Sequence, residues 1–483
     1  MRAIRAASLA ITLCALAISR DASPQAPAQQ APAAPDAGLQ AAVNSLVASI
    51  RDAAIGVAIV DVATGRVLAS YKEHDPLNPA SNAKLYTAAA ALAILHGDHR
   101  YETTLSGQLK SGAVAALTLR GYGDPSLSTD DLAAMAQDLH DQGLRRVDGD
   151  VFVEQSFYDD HTTPPAFEQK PNEWAPFRAP VSAVAVDENT VTLSVRPTVS
   201  GENAHVWFDP PGFVDSEGSI ATGDDGADKI VLMLAPNGRR LTAKISGGVG
   251  SNARIARQTA RVDDPQLLAG YVLKAQLEKI GIKVSGVVNL GSSKGAVLAR
   301  HSSAPLSSLL YALGKQSDNF YAEMVFKSLA GEAKGKPAKT LDSADLVNKM
   351  IAEASATDGG VVIKNGSGLY DANRVTAWST VSLLRWAYRT PRIGPEYVAQ
   401  LAIGGVDGTL HKRFRSERER RSIRAKTGTL DDAIALSGYV VGPPNKSPIA
   451  FSIMFNKVAG KASGARVQAD KLAMAIVKYL YGD

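Results

Sequence analysis

The sequence predicts a mixed α/β (α+β) protein in which helices surround an antiparallel sheet built from both ends of the chain, with a large mostly-β insertion between them. Three observations carry this expectation. An early stretch, IGVAIVDVATGRVLASY (55–71), is two β-rich runs around an Ala-Thr-Gly turn and reads as a hairpin. A late pair of runs, ALSGYVVG and IAFSIMFN, flanks the turn-forming PPNKSP, and the chain closes on ARVQADKLAMAIVKYLY, whose apolar spacing is helical. Between these ends the texture changes: from about 104 to 299, short runs such as AALTLRG, GDVFVEQ, TVTLSV, KIVLML and LTAKISG are each bounded by Gly, Asp, Asn or Pro. Near its end PQLLAGYVLKAQLEKIGIKVSGVVNLG reads as helix then strand, so the insertion is not purely β.

The N-terminus, MRAIRAASLAITLCALAIS, sets two arginines before an apolar run too short to span a bilayer, the layout of a secretory signal peptide over 1–20. A Pro/Ala/Gln-rich tract, 21–38, follows as a flexible leader that cannot bury a core. The expected location is periplasmic or extracellular, with no stable transmembrane segment in the mature chain. Cys14, the only cysteine, falls inside the apolar run, so disulfides, thiolate catalysis and cysteine-ligated zinc are excluded from the exported part. The full chain of 483 residues, 45% apolar, is long enough for two or three domains. A formal charge of +4 on so large a molecule gives no case for a nucleic-acid partner, and the densest charge cluster, RFRSERERRSIR from 413, reads as a solvated loop or helix face.

The chemistry starts at NPASNAKLYTAAAALAIL (78–95). Ser81 stands at the mouth of an alanine-rich helix, where it can serve as a cap, with Lys84 an ordinary helical lysine. The spacing has a second use. Residues i and i+3 share a helix face, so the Lys84 amine can reach the Ser81 hydroxyl, and a serine at a helix start can aim its backbone N–H at an oxyanion. A desolvated Lys84 near a second cation would lose its proton and could act as base. Lys426-Thr427-Gly428 supplies that cation just ahead of an apolar strand; such a tripeptide is expected by chance in about one protein in ten of this composition. There Lys426 and Thr427 could bind a substrate carboxylate, Gly428 would leave room for a substrate beside the strand, and the N–H of Thr429 could pair with that of Ser81 as an oxyanion hole. The bland alternative is a lysine at a strand start before a tight turn. Ser317-Asp318-Asn319 interrupts a helical pattern; Ser317 could relay a proton and Asn319 hold a substrate amide, or all three could simply cap the helix NFYAEMVFKSLA.

Ser-x-x-Lys, Ser-x-Asn and Lys-Thr-Gly in this order resemble the motifs of the penicillin-binding proteins and serine β-lactamases. The insertion between the first two motifs resembles the low-molecular-mass class C, or type-4, penicillin-binding proteins, the D-alanyl-D-alanine carboxypeptidase/endopeptidase family. LRGYGDPSLS, VDGDVFVEQSFYDD, APVSAVAVDENTVTLSVRP, NGSGLYDANRVT and VDGTLHKRF are similar to phrases of that family. Glu154 stands where Asp is expected, and Asn365 where DGSGL is commoner; both substitutions point to altered side-chain subsites. The resemblance implies a transpeptidase/serine β-lactamase-like catalytic domain over 39–103 and 300–483. It implies that 104–299 forms two small domains, the second nested near 187–254.

The resemblance also implies trimming of peptidoglycan stem peptides. Ser81 would be the acylated nucleophile and Lys84 its base, with Ser317, Asn319 and Lys426 completing the catalytic set. Thr427, Gly428 and Thr429 would bind substrate, with the backbone N–H groups of Ser81 and Thr429 as the oxyanion hole. Carboxypeptidase and endopeptidase cleavage would use the same machinery, β-lactam antibiotics would be covalent inhibitors, and no cofactor or metal is expected. Two alternatives stand beside this: a serine β-lactamase, for which no Glu-x-x-Leu-Asn segment is found, and a non-catalytic wall-binding protein, which would not need all three of Ser81, Lys84 and Lys426.

Overall fold

The computed structural model describes residues 34–224 and 229–482. The expected signal peptide over 1–20, with Cys14, and the leader as far as 33 lie outside the described residues. The leader ends earlier than the sequence suggests, because Asp36 caps a helix, α1 (Ala37–Ser49), by accepting the Leu39 N–H at 2.9 Å.

Both terminal hairpins form, and they join. β1 (Ala54–Asp61) and β2 (Val67–Tyr71) pair antiparallel, as do β4 (Ile423–Leu430), β5 (Ala433–Val440) and β6 (Ile449–Asn456); β3 (Ala402–Ile403) borders β4. β1 closes on β6, giving one six-stranded sheet in the order β3-β4-β5-β6-β1-β2. The middle strands are apolar without alternation because both faces are covered. Ile55, Val57 and Ile59 of β1 join Leu436 and Phe451 under α1 and the C-terminal helix, while Ala58 and Val60 join Tyr439 and Met454 on the other face. That second face carries α2 (Ala83–Ile94), α3 (Asn319–Ala333), α4 (Thr340–Glu353) and α5 (Ala377–Arg389); the C-terminal helix is α6 (Ala462–Tyr481). α2 lies at the centre, with ten of its twelve residues buried, and its small alanines let neighbours approach from every side.

The strands Glu102–Gly107 and Ala296–Ser302 pair antiparallel, so the two ends of the intervening region meet. They belong to a five-stranded sheet in which Val151–Glu154 runs parallel to both Leu117–Gly121 and Val288–Leu290. The parallel pairs reflect crossover helices, Thr129–Asp141 with a Ser128/Asp131 capping box and Leu268–Lys279. Farther along, Thr190–Arg196 pairs with His205–Asp209 and with Ala256–Arg261, and packs with the strands of 214–250 around a small core that includes Leu193, Ile220 and Ile245. One strand of this group, Ala256–Arg261, lies beyond the span near 187–254 read from the sequence. The charged stretch from 413 forms turns, its residues 415–418 exposed as expected of a solvated loop.

Candidate active site

The mouth of α2, the start of α3 and the edge strand β4 converge on one place. Ser81 sits in a 3-10 turn, Ala80–Asn82, that leads into α2, and neither the turn nor the helix has a side-chain cap bond. The capping reading of Ser81 therefore fails; its Oγ instead accepts a hydrogen bond from Lys84 Nζ at 3.1 Å. Lys84 is fully buried, and its other two donors go to Asn319 Oδ1 at 2.7 Å and the Ser367 carbonyl at 2.8 Å. Burial pushes its pKa down to about 7, against the pull of the Asp318 and Glu323 carboxylates. Of the two causes named from the sequence, desolvation and a neighbouring cation, desolvation accounts for the fall. Lys426, also fully buried, is held well below the ordinary lysine range by burial first and by Lys84 second.

Lys426 Nζ donates to Ser317 Oγ at 2.7 Å and to its neighbour's carbonyl, Thr427 O, at 2.8 Å. Ser317 adopts a left-handed φ of +64° between a π-helical turn and α3. Capping of α3 falls to Asp318 alone, which accepts the Tyr321 N–H at 2.9 Å and leaves the side chains of Ser317 and Asn319 to face the cleft. Asn319 is more committed than a free substrate contact would be, since its Nδ2 donates to the Phe177 carbonyl at 3.1 Å.

On β4, Thr427 Oγ1 donates to Thr409 Oγ1 at 2.9 Å, and Thr429 is exposed at the cleft. β3 pairs only with Arg424 and Ala425, so among the described residues the outer edge of β4 from Lys426 to Leu430 has no partner strand. Gly428 has a role in the fold itself. A Cβ there would lie 2.8 Å from the Pro79 carbonyl and 3.1 Å from Ala80 Cβ, so the missing side chain lets the turn carrying Ser81 seat on the strand.

Two features escaped the sequence reading. Glu323, one turn along α3 from Asn319 and buried, accepts the N–H groups of Gly366 at 3.1 Å and Ser367 at 2.8 Å, so that the Ser367 carbonyl meets Lys84. Its signal was the i, i+4 spacing from Asn319 together with the phrase NGSGL. The second is the far wall of the cleft, a cavity of about 1030 Å³ lined by Ser81, Ser317, Asn319 and Thr429 and faced by Glu173, Phe177 and Tyr370. The two departures noted in the sequence lie outside this lining. Glu154 pairs with Arg120, and buried Asn365 braces its own loop by accepting the Gly368 N–H at 3.0 Å, so neither alters a subsite of this cavity.

Helices on both faces of an antiparallel sheet, with the three motifs gathered at the edge strand, define a penicillin-binding protein and β-lactamase-like fold. The chain belongs to the D-Ala-D-Ala carboxypeptidase 3 (S13) family, whose model matches residues 39–476, and it is a serine carboxypeptidase hydrolase. It is 35% identical over 458 residues to the D-alanyl-D-alanine carboxypeptidase of an Actinomadura species, covering 89% of this chain and 82% of that one. Penicillin binding protein 4 from Haemophilus influenzae, 23% identical, superposes with a TM-score of 0.76 over 91% of this chain and 99% of its own, and has also been solved with a β-lactam bound. A predatory peptidoglycan endopeptidase from Bdellovibrio bacteriovorus, 14% identical, matches with a TM-score of 0.53 over 89% of this chain and 94% of its own.

Proposed function

We propose that the chain removes the terminal D-Ala of peptidoglycan stem peptides, and opens D-Ala cross-links, through an acyl-enzyme on Ser81. The observation that carries this is a fully buried Lys84, its pKa about 7, with Nζ 3.1 Å from Ser81 Oγ. Neutral Lys84 takes the hydroxyl proton as Ser81 Oγ attacks the carbonyl carbon of the penultimate D-Ala, and the N–H groups of Ser81 and Thr429 hold the oxyanion. Ser317 passes a proton to the departing amine and is reprotonated through Lys426 with the proton that Lys84 took from Ser81, which leaves Lys84 neutral again. Water then attacks the ester, its proton returning through Lys84, and Ser81 is freed with the shortened peptide. Asn319 holds Lys84 in place, and Thr427 with Lys426 receives the terminal carboxylate on the open edge of β4.

β-Lactams are read as acylating the same serine. The work is placed outside the cytoplasmic membrane, where peptidoglycan lies; no described helix is long and apolar enough to cross a membrane. We read 104–299 as an insertion into the catalytic part, supported by the pairing of 102–107 with 296–302. The test is mass spectrometry of D-Ala and monomer release from a disaccharide pentapeptide and a cross-linked dimer. Both products are expected from the native chain and neither from Ser81→Ala. Release that survives the substitution would overturn the serine mechanism, and rapid hydrolysis of penicillin without peptide cleavage would favour a β-lactamase.

A further inference from the structure

Toward the β1–β2 edge of the sheet, away from the β4 edge that borders the cleft, α5 presents Trp378, Ser382, Arg385, Trp386 and Arg389 along one stripe at helical spacing. With the β1–β2 turn and the C-terminal end of α4 the stripe encloses a groove of about 500 Å³, within the roughly 300–1,000 Å³ of small-ligand sites. β5 and β6 separate β1 from β4, and the groove shares no lining residue with the active-site cavity. Two of the four tryptophans of the chain stand here. Each is packed against the main core on one side while its indole N–H has no protein acceptor among the described residues.

The guanidiniums are fixed in place. Arg385 Nε donates to the Val62 carbonyl at 3.0 Å and Nη2 to Ala63 O at 3.3 Å, and Arg389 Nη1 donates to Ala63 O at 3.2 Å. The turn is seated directly on Arg385: Gly65 has φ +78°, and a Cβ there would lie 3.0 Å from Arg385 Cζ. Both arginines keep donors to spare, and among the described residues neither has a carboxylate in ion-pair contact; Glu353, at the end of α4, also lines the groove and stands 4.0 Å from Lys349 Nζ. Asp61 favours the charge on Arg385 from a distance, but burial and the neighbouring Arg389 hold its pKa below the ordinary value. Two adjacent, oriented cations beside two flat aromatic faces form a receptor for a group that is sugar-like on one side and anionic on the other.

We propose that this groove binds a second segment of the wall polymer, a sugar ring lying on the indoles and a stem-peptide carboxylate on Arg385 and Arg389. The inference rests on the peptidoglycan reading of the active site, and it explains how an enzyme for single peptide ends would stay on an insoluble polymer between cuts. The test is cosedimentation of the full chain, carrying Ser81→Ala, with purified insoluble peptidoglycan. Trp386→Ala and Arg389→Glu are each expected to weaken retention at least fivefold. With Ser81 intact, the same variants should keep penicillin labelling and soluble pentapeptide turnover within twofold. Unchanged retention in Arg389→Glu, an exposed position at which misfolding is not expected, would overturn the proposal. So would equal displacement by polyglutamate and by soluble disaccharide peptides, which would make the groove a plain anion site. Retention by phosphatidylglycerol vesicles instead of peptidoglycan would overturn it in favour of a membrane contact. Loss of labelling and turnover in the parent chain would instead count against the active-site reading, leaving the binding result to judge the groove.

Discussion

At Lys84 two requirements meet: an amine sealed from water sheds its charge, and a general base must be free of its proton at the working pH. Three acceptors surround Nζ, enough to hold an ammonium, yet burial outweighs them and brings the pKa to about 7 from 10.5. The consequence for stability has a definite sign. Below pH 7 the folded and unfolded chains both hold the proton, and the folded one bears the full cost of a buried charge. Between about 7 and 10.5 only the unfolded chain holds it, so this residue's contribution to stability rises with pH across that window. For catalysis the sign is the same. The rate constant for acylation by penicillin is expected to climb about tenfold per pH unit below 7 and to level off above it, which stopped-flow labelling from pH 5 to 9 would read. Lys84→Ala should lower the plateau by about 10²–10⁴, the usual worth of a positioned base. A flat profile in the native chain would show that Ser81 loses its proton by another route.

At the scale of elements, the site is held by contacts between segments far apart in the sequence. Ser81 and Lys84 share one helical turn, and Lys426 to Thr429 share one strand, so their grouping was legible from local spacing. Glu323 and Ser367 meet across a separation of 44 residues and Asn319 and Phe177 across 142; local spacing marks Glu323 but not the partner it reaches, and nothing local marks Phe177. The same limit governs the fold. Period-two and apolar runs exposed both hairpins, but the parallel pairing of Val151–Glu154 with two other strands depends on crossovers that pair segments over 30 to 140 residues. Glu323 tests the link between α3 and the loop at 365–368. Glu323→Gln keeps the shape, replaces one acceptor with a donor facing a backbone N–H, and removes a charge that raises the Lys84 pKa. The acylation plateau should fall about tenfold, and the rising limb of the pH profile should move to lower pH. A lowered plateau with an unmoved limb would mean that Glu323 acts on the loop alone and its charge does not reach Lys84.

Across the whole molecule, the segment 170–177 forms a wall of the cleft beside the three motifs. Phe177 O receives the Asn319 amide, Lys170 pairs with Asp431 beyond the motif strand, and the Tyr370 hydroxyl donates to Glu173. Tyr370 is the hinge of this contact: its ring meets Phe167 edge-on at 6.0 Å, with Lys170 and Arg178 over it at 5.5 and 5.7 Å. Under the proposed function, a small β-lactam at Ser81, Ser317 and the open edge of β4 would have little use for this wall, whereas a stem peptide would extend along it. Tyr370→Phe removes one hydrogen bond and keeps the ring, so the fold should survive while the wall loosens. Penicillin acylation is then expected to stay within twofold, and KM for the pentapeptide and the cross-linked dimer to rise about three- to tenfold with kcat little changed. Substrate binding made through the wall is equal in ground and transition states, which is why its loss belongs in KM. Equal loss for penicillin and peptide would show that the insertion shapes the nucleophile itself, and the wall would then be part of the acylation machinery.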